Sequence, residues 1–220
     1  MKKSTLFATI ISIITITSSN NSTAQKGFYV GVHGVPLLSV RFNGSDADNQ
    51  GMDYKAKSSI TFGVGAGYNV TDHFGVAAEA IYSKEKQRYE DHSVKYDEQL
   101  NFIKVPVLFT YNTNPSARVI LTAKAGPQLG ILRSAKISNS SIAALNGDSK
   151  DRYKDITFGA MIGTGARIRL TNNLYADAGL RFDGIISNLE SKEYKEQHPG
   201  RSKTHAVNAG VEFGIRYFLN

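Results

Sequence analysis

Cysteine is absent from all 220 residues. That absence removes disulfides, thiol nucleophiles, zinc–thiolate centres and acylation at a lipobox cysteine from consideration. The five histidines show no spacing that suits a shared metal ion. No apolar run approaching 18 residues follows the N-terminal segment, so no membrane-crossing helix is expected there. The net charge of +7 arises from 26 basic and 19 acidic residues that are mixed along the chain. Without a basic block or aromatic–basic interleaving, no nucleic-acid surface is expected. Gly63-Val64-Gly65-Ala66-Gly67 lacks the full spacing of a nucleotide-binding glycine loop, and no Lys-Ser/Thr pair follows it. Asp46-Ala47-Asp48-Asn49-Gln50-Gly51 matches the first half of a calcium loop, but Lys57 stands where a bidentate glutamate is required. It reads as a solvated acidic loop, and no metal or cofactor is expected.

What the chain does contain begins with Lys2 and Lys3, an apolar run from Leu6 to Ile16, and a polar stretch ending Ser22-Thr23-Ala24. This is the three-part layout of a secretory signal peptide, expected to occupy residues 1–24 with cleavage after Ala24. The apolar run is well short of the ~20 residues of a spanning helix. Export without cysteine fits a bacterial envelope protein, and residues 25–220 are expected to form one domain.

The dominant pattern after the leader is alternation. Residues 205–219 place Val207, Ala209, Val211, Phe213, Ile215, Tyr217 and Leu219 on one face, with Ala206, Asn208, Gly210, Glu212, Gly214, Arg216 and Phe218 on the other. A period of two specifies a strand. Comparable segments are expected at residues 28–40, 59–70, 74–85, 96–111, 118–131, 156–170 and 174–186, giving eight. The fourth breaks step: Leu100 and Phe102 have one parity, whereas Ile103, Val105, Val107 and Phe109 have the other. A bulge near Lys104 to Pro106 is expected to restore a single apolar face. Short links at 71–73, 112–117 and 171–173 alternate with long polar ones, the pattern of an all-β, eight-stranded, antiparallel up-and-down transmembrane barrel.

Alternation alone leaves open whether the apolar face meets lipid or a ligand cavity. The glycines favour lipid. On the polar face of a narrow barrel they make room for large neighbours, and the short hairpins are expected to set Gly65 opposite Glu79, Gly63 opposite Ile81 and Gly163 opposite Arg181. The same registers set Arg167 opposite Asp177. Charges in such an interior must be paired, so Glu79, Lys124, Arg167, Asp177, Arg181, Asp183, Glu212 and Arg216 are expected to form an interior network that leaves no wide channel. His33 is expected to point inward as a core histidine. Aromatic girdles are expected from Phe28, Tyr68, Phe74, Tyr111 and Tyr217 at the short-turn end, and from Phe62, Tyr82, Tyr96, Phe158 and Phe182 toward the loops.

Glu212, Gly214, Tyr217 and Leu219 resemble the assembly signal of outer-membrane barrels, with Leu219 and Asn220 where an aromatic usually ends the motif. Phe102-Ile103-Lys104-Val105-Pro106-Val107-Leu108 is similar to the aromatic-x-x-Ile-Pro-Leu-Leu strand of Bacteroidetes envelope barrels. Together they resemble the porin-family, PorT-like outer-membrane β-barrel group. The resemblance implies bacterial outer-membrane location with periplasmic termini, contact with lipid and lipopolysaccharide, recognition by the barrel assembly machinery, and an envelope or secretion partner. It implies no catalytic residues. A non-enzymatic barrel acting through its loops or by docking is therefore expected. One alternative is a narrow porin. Another is a lipid A- or phospholipid-modifying enzyme using His198, Ser202 and His205 beside Glu193 and Glu196.

Overall fold

The computed structural model describes residues 26–44, 52–91, 94–114, 116–138 and 141–219. The leader at 1–24 and the acidic segment 46–51 lie outside the described residues. Eight long strands form the body: β1 (Gly27–Asn43), β2 (Met52–Asn69), β3 (Phe74–Asp91), β4 (Val94–Asn112), β5 (Val119–Ser138), β6 (Ile156–Arg169), β7 (Leu174–Ile185) and β8 (Thr204–Phe218). Each pairs antiparallel with the next, and β8 returns to pair with β1, closing the ring. Closure leaves no sheet edge exposed, which a strand-built membrane protein requires. A two-residue strand, Gly147–Asp148, extends the sheet on β5, and a short helix, α1 (Lys192–Gln197), lies between β7 and β8.

The hairpin registers are those the glycine pattern predicts. Gly65 faces Glu79 and Gly63 faces Ile81 across β2 and β3; Arg167 faces Asp177 and Gly163 faces Arg181 across β6 and β7. Both short turns use the same chemistry. The Thr71 hydroxyl accepts from the backbone N–H of Phe74 at 2.9 Å, and the Thr171 hydroxyl accepts from that of Leu174 at 3.2 Å.

Burial is inverted relative to a water-soluble domain. Phe213, Val211 and Val64 are exposed on the outer wall, whereas Arg41, Arg167 and Arg181 are at most 2% exposed. Two faces of opposite character on every strand give a wall that is apolar outside and polar inside. On β3 the outward residues change from Phe74, Val76 and Tyr82 to Lys84, Lys86 and Arg88; on the paired part of β4 they change from Tyr111, Phe109 and Ile103 to Asn101 and Gln99. The apolar band ends at Tyr82 and Ile103, and the strands continue past it at the long-loop end.

Two expectations need correction. β3 and β4 keep one register from Phe74 opposite Tyr111 to Asp91 opposite Val94, so no bulge occurs between them near Lys104 to Pro106. The irregularity lies between β4 and β5, where Phe102 faces Leu132 but Asn101 faces Ser134, leaving Arg133 as the extra residue. Leu100 and Phe102 never change parity. They point inward with Lys104 and Leu108, because the interior is apolar at this height. Tyr96 is also misplaced by the girdle reading, since it stacks inside the mouth on Tyr89 with ring centroids 5.0 Å apart.

Candidate functional site

The interior is layered along the barrel axis. At the short-turn end Tyr29, Ile120, Tyr175 and Phe218 form a floor, with Phe218 between the rings of Tyr29 (5.4 Å) and Tyr175 (5.3 Å). Toward the loops Leu100, Phe102, Leu132, Ala135, Ile185, Leu189 and Ala206 form an apolar ceiling, against which Tyr153 packs. The interior charges lie between.

They form three tiers. Nearest the floor, Asp177 accepts from Arg167 Nε at 2.8 Å and from Arg216 Nε at 3.0 Å; the Arg216 guanidinium sits 4.1 Å from the centre of the Tyr29 ring. In the middle, Lys124 Nζ reaches Glu79 at 3.1 Å and Glu212 at 2.7 Å, while Arg181 Nη1 reaches the same carboxylates at 2.9 and 3.0 Å. Two cations and two anions thus close a square, and His33 Nε2 lies 3.7 Å from Glu79. Under the ceiling, Lys104 Nζ bridges Glu85 and Asp183, and Asn208 Nδ2 donates to both carboxylates. Arg181 Nε lies 3.9 Å from Asp183, which links the upper two tiers. The floor tier carries one surplus positive charge and the upper tier one surplus negative charge, so the three together are neutral. Buried charge is tolerated when paired and hydrogen-bonded in this way.

All eight charged residues singled out in the sequence lie in these tiers, divided among them. Lys104 and Glu85 belong with them and were missed: Lys104 was assigned to a bulge, and Glu85, which shares the inward parity of Glu79 on β3, was not among the eight. Alternation carried through Leu100 and Phe102 would have found Lys104. The inward glycines lie beside the large groups. A Cβ at Gly65 would meet Glu79 Cγ at 3.1 Å, one at Gly163 would meet Lys124 Cε at 3.1 Å, and one at Gly63 would collide with the His33 ring. Beside the middle and floor tiers lie two small voids of about 30 Å³ each, enough for isolated waters.

His198 Nδ1 lies 2.9 Å from the Tyr194 carbonyl oxygen, the Ser202 carbonyl accepts from Asn43 Nδ2 at 2.9 Å, and His205 packs against Phe42 with ring centroids 5.8 Å apart. Among the described residues no group of three acidic or histidine side chains is placed to hold a metal ion.

Above the ceiling, at the mouth, Tyr153 OH donates to Glu98 at 2.6 Å, and Ser149 Oγ donates to the other oxygen at 3.1 Å. Burial, reinforced by the Glu98 charge, holds the Tyr153 phenol well above its ordinary pKa, so it stays a neutral donor. Glu190 accepts from Arg201 Nε at 2.8 Å and from Thr204 Oγ1 at 2.7 Å. A bridge between Tyr153 and Glu190 ties the two longest connections together.

The family model for the outer membrane protein beta-barrel domain matches residues 6–214. Among solved structures, Neisserial surface protein A is similar at 15% identity over 87% of this chain and 97% of that one, with a TM-score of 0.51. OprG from Pseudomonas aeruginosa is similar at 12% identity over 90% of this chain and 100% of that one, with a TM-score of 0.50. At these identities the likeness is one of fold. No curated protein matches the chain.

Proposed function

Because the chain belongs to the outer membrane protein β-barrel domain family and so to the bacterial outer membrane, we propose that it is a non-enzymatic, non-conducting barrel whose work is done at its long-loop end. The observation that carries this reading is the layered interior: three tiers of paired charge lie between an aromatic floor and an apolar ceiling. A solute crossing the barrel would have to break buried ion pairs and displace both apolar layers. The strands continue beyond the apolar band only at the loop end, which supplies surface for contacts outside the bilayer. In this reading the short turns and both termini face the periplasm, lipid and lipopolysaccharide surround the wall, and a partner in the envelope or in secretion meets the loops or wall.

The finer assignment to a PorT-like, Bacteroidetes-type group rests on the Phe102 to Leu108 motif, and recognition by the assembly machinery rests on Glu212, Gly214, Tyr217 and Leu219. Residues 1–24 act as a leader, and the mass of protein purified from outer membranes should correspond to a chain beginning at Gln25; a mass that retains Met1 would contradict this. Conductance tests the closed wall. In planar bilayers the purified barrel is expected to give no resolved current steps, whereas regular ohmic steps of porin size would replace this reading with that of a narrow channel.

A further inference from the structure

The mouth holds a pocket of about 110 Å³ directly above the ceiling, lined by Arg41, Tyr96, Arg152, Tyr153, Glu190 and Tyr194 among others. That volume is well below the ~300–1,000 Å³ of sites for drug-sized ligands, and suits a single ring. Its walls are unusually rich in guanidinium and phenol groups. The Arg152 and Arg201 guanidiniums lie 5.8 and 5.9 Å from the centre of the Tyr194 ring, and Arg41 lies 5.9 Å from that of Tyr89.

Two groups at this pocket are buried and incompletely satisfied. Arg41 is 1% exposed; its Nη2 donates to the Glu98 carbonyl at 3.1 Å, but Nε and Nη1 have no hydrogen-bond partner among the described residues. Glu190 is 3% exposed, and its Oε2 likewise lacks a donor among the described residues. Unsatisfied buried groups of this kind are costly and uncommon in native structures. Here they have opposite polarity, so one small ligand satisfies both only if it carries an acceptor and a donor, which an anionic group and a hydroxyl together supply. At the rim, half-buried Arg152 contacts the Tyr194 ring and makes no ion pair with a carboxylate among the described residues. It is available to a second negative group. The carboxylates of Glu98 and Glu190 are already engaged by donors of the protein, which lowers their repulsion of an anion.

We propose that this pocket binds one anionic sugar residue, its ring against the tyrosines, a hydroxyl on Glu190, and its charged substituent between Arg41 and Arg152. Aromatic faces and neighbouring charged side chains suit a ring that is apolar on its faces and polar at its edge. Charge-assisted bonds from guanidinium to phosphate or carboxylate supply the strongest contacts. This deepens the reading of the loop end as the functional surface, and its failure would leave the non-conducting wall untouched, because conductance does not depend on the mouth.

Isothermal titration of the full barrel in detergent with glucose 6-phosphate, glucuronate, glucose and inorganic phosphate tests it. The two anionic sugars are expected to bind at least tenfold more tightly than either glucose or inorganic phosphate. R152Q, which disturbs no carboxylate partner, is expected to weaken glucose 6-phosphate binding by about tenfold or more, as loss of a charge-assisted contact implies. Its unboiled gel mobility reports that the variant is folded. Competition by lipopolysaccharide bearing phosphorylated sugars, added to the barrel in nanodiscs of neutral lipid, would assign the ligand to the cell's own surface; binding without that competition would assign it to a soluble sugar. No binding of either anionic sugar, equal binding of inorganic phosphate, or unchanged affinity in folded R152Q would overturn the proposal.

Discussion

Replacing Lys104 with methionine is expected to cost about 3–5 kcal/mol of folding stability, because it strands two buried carboxylates. Glu85 is fully buried and Asp183 is 7% exposed, and the Lys104 ammonium is the cation that sits between them. Without it Asp183 retains Arg181 at 3.9 Å, whereas among the described residues Glu85 keeps only neutral donors, Ser83 Oγ at 3.0 Å and Asn208 Nδ2 at 3.1 Å. Those hydrogen bonds do not offset an uncompensated charge under an apolar ceiling. Removing Glu85 as well, with an apolar residue of similar size, is expected to recover most of the loss, since one cation and one anion then leave together and Asp183 keeps Arg181. Urea unfolding in phospholipid vesicles, followed by far-UV circular dichroism, measures both. A single variant within about 0.5 kcal/mol of the parent would mean that water reaches the upper tier.

Gly63→Val is the second large effect. The added Cβ would occupy the place of the His33 imidazole and lie 3.1 Å from Ile81 Cγ1. The ring has little room to retreat, with Glu79 on one side and Gly214, whose own Cβ would meet His33 Cβ at 3.2 Å, on another. Overpacking of this kind costs about 1–3 kcal/mol. The distinctive expectation is rescue: His33→Ala vacates the same space, so the double variant should regain most of the stability lost by the single one. Coupling of about 1 kcal/mol or more in a double-mutant cycle supports steric exchange between glycine and a large neighbour; strictly additive effects refute it.

The sequence made the wall legible because each strand obeys one simple rule across the bilayer. From Ile60 to Val70, or from Val207 to Tyr217, the outward residues are apolar and the inward ones are small or polar, so periodicity marks both the strand and its faces. Hairpin registers followed because three-residue links preserve parity. The same rule explains the errors. Beyond Tyr82 and Ile103 the outward positions become lysine, asparagine and glutamine, so the apolar signal stops while β3 continues to Asp91. The expected strand ends therefore fell short. Leu100 and Phe102 were taken for outward residues out of step, because a uniformly polar interior was assumed; they instead form part of the ceiling, and Lys104 below them joins the upper tier. The mouth pocket had no local signal. Arg41, Glu98, Arg152 and Glu190 come from four separate parts of the chain, and only closure of the ring and packing of its two longest connections bring them together.

The central claim is that the apolar face of every strand meets lipid and the polar face fills the barrel. The absence of cysteine makes one measurement direct: single cysteines at Val207, Ala209, Val211, Phe213 and Ile215, labelled with nitroxide, in reconstituted bilayers. Collision with oxygen is expected to exceed collision with a polar nickel complex at all five sites and to peak near the middle of the series. Labels that are immobilised and shielded from oxygen would place this face toward an internal cavity, and labels relaxed mainly by nickel would place it in water; either result would contradict the barrel described here.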